Sequence, residues 1–339
     1  MPADFGAAGM PRLRDTQGRS YSYLRLSLTD RCDLACVYCM PPGGEDDHAM
    51  RAELLSTDEV VRLVRLFAQS GIRRVRFTGG EPLVRKDVVE IVARVSELAN
   101  VDELVMTTNA TRLATLAKPL RDAGLHGVNI SIDSFDASTF ARMTRGGELA
   151  QVLRGLDAAL DVGLEVKLNA VVLRGENDQQ LVEIVERAWA LGATPRFIEL
   201  MPIGEGSALV GKHHVPMAEM VHTLGGLVEG ARVGVAGAGP ARYMTKIGDA
   251  RRRVGFITAM TESFCDSCNR VRVTVNGNLR SCFATTRGVS LCDAMRRGDE
   301  DRQVSWAIHD ALAAKDDTHH FLDPQRLDHR DVGMSLIGG

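Results

Sequence analysis

The chain has 339 residues, 45% hydrophobic and 25% charged, with a formal net charge of −3. It can bury a large core, in one barrel with an appendage or in two modest domains, and it carries no field of one sign to draw it to nucleic acid or a membrane. Seven cysteines argue against a disulfide framework; with no secretory pattern in the opening residues and no long apolar run, a reducing cytoplasm is the expected compartment.

From residue 23 to 200, short β-branched runs alternate with helical patterns. Strands are predicted at 23–28, 74–78, 103–107, 127–132, 165–172 and 195–200, and helices at 56–70, 87–99, 112–123, 148–162 and 178–191. Ser56 and Glu59 form a capping box ahead of the first helix, and Gly71, Gly124, Gly163 and Gly192 sit just past helical stretches. Such regular alternation implies parallel pairing through right-handed crossovers. The fold class expected is α/β: an incomplete TIM-like (β/α)6 barrel with a C-terminal α+β extension closing the open side. The divisions read as 1–20, an N-terminal extension; 21–203, the partial barrel; and 204–339, the extension. Beyond 203 the sequence predicts a short helix near 216–224, strands near 254–258, 271–275 and 279–283 with a turn at Asn276-Gly277, and a helical then irregular segment from 289 to 330.

The unusual residues fall at the carboxyl ends of these strands, where barrels of this kind build their active sites. Cys32, Cys36 and Cys39 follow the first strand, Gly79-Gly80-Glu81-Pro82 the second, and Thr107-Thr108-Asn109 end the third. Ser131 and Asp133 end the fourth, Lys167 and Asn169 lie on the fifth, and Met201-Pro202 follow the sixth.

Three thiolates leave one iron of a four-iron cluster open to bind a reacting group, whereas a structural zinc site closes all four positions. His48 is the candidate fourth ligand in a zinc reading of the first trio. A second trio, Cys265, Cys268 and Cys282, repeats the incomplete count, and Cys292 either completes a zinc knot there or is a buried small hydrophobe. The glycine pair offers bare backbone to a ligand's amino and carboxylate groups. Arg25, Arg74, Arg76, Lys167, Arg196, Arg270 and Arg272 alternate along strands that are usually apolar throughout, so they call for an anion such as a triphosphate.

On Thr29–Pro41 with its three cysteines, Thr78–Pro82, Arg196–Met201, Phe264–Arg270 and the terminal Gly338-Gly339, the chain resembles the radical S-adenosylmethionine superfamily. Within it, the chain is similar to the family that opens molybdenum cofactor biosynthesis from GTP. The resemblance runs from about residue 20 to the last glycine and implies a lyase with two [4Fe-4S] clusters and S-adenosyl-L-methionine. Cys32, Cys36 and Cys39 would hold the first cluster, and Tyr38, Gly80, Ser131 and Met201 would contact S-adenosylmethionine. Cys265, Cys268 and Cys282 would hold the second. GTP would be bound by Arg25, Arg74, Arg76, Thr107, Lys167, Arg196, Arg270 and Arg272, of which Arg25, Arg270 and Arg272 are also expected to serve catalysis. An electron donor and a downstream cyclic pyranopterin monophosphate synthase are the implied partners, a homodimer is compatible, and neither nucleic acid nor membrane is expected. Two departures stand out: Ala110 where the family often has Gly, and Arg74 where a Lys can occur. Two rivals remain, a radical enzyme acting on a peptide and a zinc-stapled binding module without catalysis.

Overall fold

The computed structural model describes residues 12–43, 48–50, 52–234, 239–285, 287–319, 321, 323 and 333–334; the terminal Gly338-Gly339 lies outside them. The expected alternation is present as β1 (Tyr23–Ser27), α1 (Thr57–Gln69), β2 (Arg74–Thr78), α2 (Val88–Ser96), β3 (Glu103–Thr108), α3 (Leu113–Asp122), β4 (Gly127–Ser131), α4 (Ala137–Thr144), α5 (Leu149–Asp161), β5 (Glu165–Val172), α6 (Leu181–Ala190) and β6 (Thr194–Glu199). Beyond β6 come α7 (Gly206–His213), α8 (Met217–Thr223), β7 (Val228–Gly234), β8 (Arg242–Lys246), β9 (Asp249–Ile257), β10 (Arg270–Val273), β11 (Asn278–Arg280), β12 (Val289–Ser290), α9 (Leu291–Arg296) and α10 (Asp301–Ala313).

The six strands β1–β6 pair in parallel in chain order. The sheet does not close on itself. Both of its barrel edges are instead extended in parallel by late strands, β10 beside β1 and β9 beside β6. Antiparallel hairpins then continue outward, β11 and β12 from β10 and β8 and β7 from β9. The C-terminal region is thus part of the barrel's own sheet.

Each barrel strand alternates. Leu24 and Leu26, Val75 and Phe77, Leu104 and Met106, Val128 and Ile130 are fully or almost fully buried in the core shared with the helices. The opposite phase is polar: Arg25, Arg76, Thr107, Asn129, Asn169 and Arg196 line an internal cavity. An ordinary parallel strand is apolar on both faces because both are packed; here the inner face encloses a chamber.

Five elements were not expected from the sequence: α4, α7, β7, β8 and the two-residue β12. Helix α4 starts at Asp136, whose carboxylate caps the backbone N–H of Thr139 at 2.8 Å, but its Ser, Thr and Arg content hides the apolar stripe of Phe140 and Met143. It has a specific task. The carbonyls of Met143 and Thr144 accept from the backbone N–H groups of Val37 (2.9 Å) and Ala35 (3.3 Å), which hangs the first cysteine loop on the end of this helix. The capping box at Ser56 and Glu59 is present, and Gly277 turns between β10 and β11 with φ of 75°.

Gly155 of α5 lies under the turn after β3, where an added Cβ would stand 2.3 Å from the carbonyl oxygen of Ala110. Alanine's better helix propensity is worth about 1 kcal/mol, whereas overpacking against backbone costs roughly 1–3 kcal/mol. Gly155→Ala is therefore expected to lower the urea midpoint, by about 1 kcal/mol net, with an unchanged denaturant slope; equilibrium unfolding followed by circular dichroism checks it.

Candidate active site at the barrel mouth

One cavity of about 290 Å³ is lined by all six cysteines of the two trios, together with Tyr38, Gly80, Ser131 and Met201 and with Arg25, Arg76, Thr107, Arg196, Arg270 and Arg272. The trios, more than 220 residues apart in sequence, share it because β10 docks beside β1. Cys39 and Cys36 belong to one tight turn, closed by the Cys39 N–H to the Cys36 carbonyl at 2.9 Å; Cys268 and Cys265 repeat that bond at 3.0 Å. Arg74 and Lys167 do not line the cavity. They sit nearer the amino ends of their strands, Arg74 ion-paired with Glu103 and Lys167 with Glu165 at 2.7 Å.

Gly79 and Gly80 are required where they stand. A Cβ on Gly79 would come 2.3 Å from the Thr29 carbonyl oxygen, and one on Gly80 2.4 Å from that of Arg31. The pair lets the end of β2 press against the first cysteine loop while keeping a bare backbone surface on the cavity. Ala110 occupies the left-handed region with φ of 63°, which explains physically why glycine suits this position.

Buried carboxylates surround the first trio. Glu81 accepts from the backbone N–H groups of Asn109 (2.6 Å) and Leu83 (2.9 Å) and from the Thr108 hydroxyl (2.8 Å). Asp133 accepts from the Tyr38 hydroxyl at 2.7 Å and the Val171 N–H at 2.8 Å, so Tyr38 is held against the cavity wall by its own tip. Burial raises both acids, Glu81 to about 7 and Asp133 to about 6, against the hydrogen bonds that favour their ionised forms. Burial, with Glu81 and Asp33 adding repulsion, pushes the Cys32 thiol up to about 12.

Cations surround the second trio. Burial raises the Cys268 thiol, but Arg270 and Lys315 outweigh it and bring it down to about 6. The guanidiniums of Arg270 and Arg272 lie over the rings of Phe264 and Phe283, 4.6 and 4.1 Å from their centroids. Arg25 is driven well below its ordinary value, first by burial and then by Arg272 and Arg76; Arg272 falls to about 9 through burial and Arg270. A guanidinium holds its proton in proteins; burial is the larger cost here and the neighbouring guanidiniums add to it, so an inserted polyanion would offset part of both. Arg76 donates to Thr107 Oγ1 at 3.0 Å and Arg196 to Asn169 Oδ1 at 2.9 Å.

The donor set fits two open clusters. Each trio offers three uncrosslinked cysteines, half-buried, and N–H groups aim at sulfur, Ala284 at Cys282 (3.5 Å) and His319 at Cys265 (3.3 Å). Thiolates that bind different irons of one cube need not converge on a point, and among the described residues no three His, Cys, Asp or Glu side chains are grouped to hold one ion. The zinc ligands weighed from the sequence stand elsewhere. Cys292 is 3% exposed in the apolar core on α9, and His48 faces a second pocket that shares Cys32 and Leu34 with the main cavity, where it stands beside Asp30 at 3.7 Å.

Sequence reading gave no role to several residues of the site. Glu199, 1% exposed, accepts from the backbone N–H groups of Met217 (3.0 Å), Met260 (2.8 Å) and Thr261 (3.0 Å), tying three segments at the end of β6; its place within the Arg196–Met201 run was the available signal. Arg19 and Lys315 also line the cavity, and no local pattern marks either.

The fold and the paired trios define a radical S-adenosylmethionine protein. A family model described as the Radical SAM superfamily matches residues 26–188, and one described as Molybdenum Cofactor Synthesis C matches residues 193–321. The GTP 3',8-cyclase of Pelotomaculum thermopropionicum is 43% identical over 96% of this chain and 100% of its own length, that of Heliobacterium modesticaldum 42% over 96% and 99%, and that of Brucella canis 38% over 96% and 95%. The chain belongs to the GTP 3',8-cyclase family. Among solved structures, Streptococcus suis SuiB bound to S-adenosylmethionine superposes with a TM-score of 0.63 at 15% identity, covering 87% of this chain and 68% of that one; the likeness is one of fold. The cofactors that come with the family are S-adenosylmethionine and [4Fe-4S] clusters.

Glu81 makes a testable link between pH and stability. Its folded value of about 7 lies above the ordinary 4.5, so the stabilisation it contributes is complete below about 4.5 and is lost as pH rises through about 7. At about 1.4 kcal/mol per unit this is on the order of 3 kcal/mol. Glu81→Gln is expected to flatten that part of the profile, as measured by denaturant midpoints between pH 4.5 and 8 on metal-free protein.

Proposed function

We propose that the protein is a lyase converting GTP into (8S)-3',8-cyclo-7,8-dihydroguanosine 5'-triphosphate, the first step of molybdenum cofactor biosynthesis. One observation carries the reading: two cysteine trios and six arginines share one cavity. The names and lengths of the curated relatives support it.

Residues 21–203 form the S-adenosylmethionine side. Cys32, Cys36 and Cys39 would hold the first [4Fe-4S] cluster, with Tyr38, Gly80, Ser131 and Met201 in contact with S-adenosylmethionine. Residues 204–339 would supply the auxiliary side, where Cys265, Cys268 and Cys282 would hold the second cluster. When bound, these cofactors would supply the electrons and the carbon-centred oxidant for removing one ribose hydrogen of GTP.

The protein's own contribution is confinement. Arg25, Arg76, Arg196, Arg270 and Arg272, with Thr107, would fix GTP at several points, so that one C–H bond meets the radical at near-attack distance while water is kept out. The cost of gathering guanidiniums in a buried chamber is offset when phosphates enter. Arg74 and Lys167 would take the far end of the triphosphate by exchanging Glu103 and Glu165 for it. Arg25, Arg270 and Arg272 are also placed to support reduction and protonation of the cyclised product. The reading includes an electron donor, a cyclic pyranopterin monophosphate synthase as consumer, a cytoplasmic compartment and a possible homodimer. Among the described residues no helix is long and apolar enough to cross a membrane.

Anaerobic reconstitution with iron and sulfide, followed by product analysis with GTP, reductant and S-adenosylmethionine, is expected to yield 5'-deoxyadenosine and the cyclised nucleotide; absence of 5'-deoxyadenosine overturns the reading. Cys265→Ala is expected to keep uncoupled 5'-deoxyadenosine formation and lose the cyclised product.

GTP at a hundred times its dissociation constant should add roughly 2.7 kcal/mol of stability. Anaerobic thermal shifts should show that gain in the reconstituted protein and its loss in Arg25→Met.

A further inference from the structure

Lys315, just past α10, is 5% exposed. Its Nζ lies 3.3 Å from Cys268 Sγ and donates to the Arg270 carbonyl at 3.3 Å, with the Tyr21 ring 4.7 Å away. Burying an ammonium is costly unless a partner compensates, and the anionic partner within reach is a cysteine of the second trio. Four residues on, the His319 N–H donates to Cys265 Sγ at 3.3 Å. One short segment therefore supplies donors to two of the three sulfurs.

That segment is fastened by the start of the chain. A bridge between Arg14 and Ser20 presents Arg19, whose guanidinium donates to the carbonyls of Cys265 (3.1 Å), Asp316 (2.7 Å) and Asp317 (2.7 Å). Asp15 holds Arg19 at 2.5 Å and also accepts the Tyr21 hydroxyl at 2.5 Å. The residues before β1, which sequence reading left without a function, lock the lysine's segment onto the second trio.

The first trio has the opposite setting. The carboxylates Asp33, Glu81 and Asp133 stand beside it, Asp33 paired with the exposed Arg112 at 3.1 Å and Arg145 donating to the loop carbonyls of Ala35 and Met40, and its side-chain donors to sulfur are neutral: the Asn109 amide, 3.7 Å from Cys32, and the Tyr38 hydroxyl beside Cys36. Net charge and hydrogen bonds to sulfur are the main protein levers on a cluster's potential. Cations favour the electron-rich state and carboxylates disfavour it.

We propose that Lys315 is a positioning residue that raises the reduction potential of the auxiliary cluster above that of the first, with Arg19 holding its segment in place. The proposal rests on the two-cluster reading above. An electron would then pass downhill from the low-potential centre beside the carboxylates to the one beside the cations, where the product is quenched.

The test is a redox titration of anaerobically reconstituted, full-length protein, followed by low-temperature spin resonance, with the auxiliary centre identified as the signal that GTP perturbs. Fewer than two clusters in the unmodified protein would sink the underlying reading. With two present, Lys315→Met at full iron content is expected to move the auxiliary midpoint to more negative potential and leave the first unmoved, while Lys315→Arg keeps it near the unmodified value. An auxiliary midpoint that is unchanged or raised in Lys315→Met overturns the proposal. Should Lys315→Met lose the auxiliary iron, retention of iron and midpoint by Lys315→Arg supports a charge requirement, and loss from both variants shows a purely structural role and overturns it.

Discussion

Burying arginines on the inner face of a parallel barrel is the constraint on which the rest of this structure depends. Arg76, Arg196 and Arg272 are buried, with Arg25 and Arg270 half-buried beside them. A barrel of this class normally fills its interior with branched apolar side chains. Guanidiniums cannot pack that way: they repel one another and need acceptors, so the inner face stays open as a chamber and the stability must come from the outer face, where leucines, valines and phenylalanines meet the helices. The sheet can remain unclosed because its strands are not held together by a packed interior.

The same constraint arranges the chemistry. A polar chamber needs ligands that satisfy it, and the two cysteine trios stand at its mouth in contrasting company, one among buried carboxylates and the other among cations. At Gly79 and Gly80 two backbones touch, so the wall beside the first trio is shaped by main chain. The wall beside the second trio is shaped by long side chains steadied on aromatic faces.

Much of this was legible in the sequence. The alternation of strands and helices, the trios, the glycine pair and the misplaced arginines are local patterns, and local patterns survive without a structure. What was hidden is long-range or irregular. Nothing in the run Arg270–Val273 says that it will pair with a strand almost 250 residues earlier, and β9 gives no hint that it continues the opposite edge. Helix α4 is masked by its Ser, Thr and Arg content. Glu199 stood inside a recognisable run, but that a carboxylate would be buried to tie two loops to the end of β6 follows only from where those loops go. Arg19 and Lys315 sit in irregular chain, where the residue type alone says surface. Arg74 and Lys167 share the phase of their partners but stand too near the amino ends of their strands to line the chamber.

The pairing of β10 with β1 also bears on how such a chain comes off the ribosome. The first strand of the barrel must wait for most of the polypeptide before its outer ladder is complete; until then its parallel edge, followed by the three cysteines of the first trio, is unpaired. Contacts of this sequence separation form slowly. The order of the strands therefore makes the chamber, and with it the meeting of the two trios, complete only once the C-terminal strands have paired.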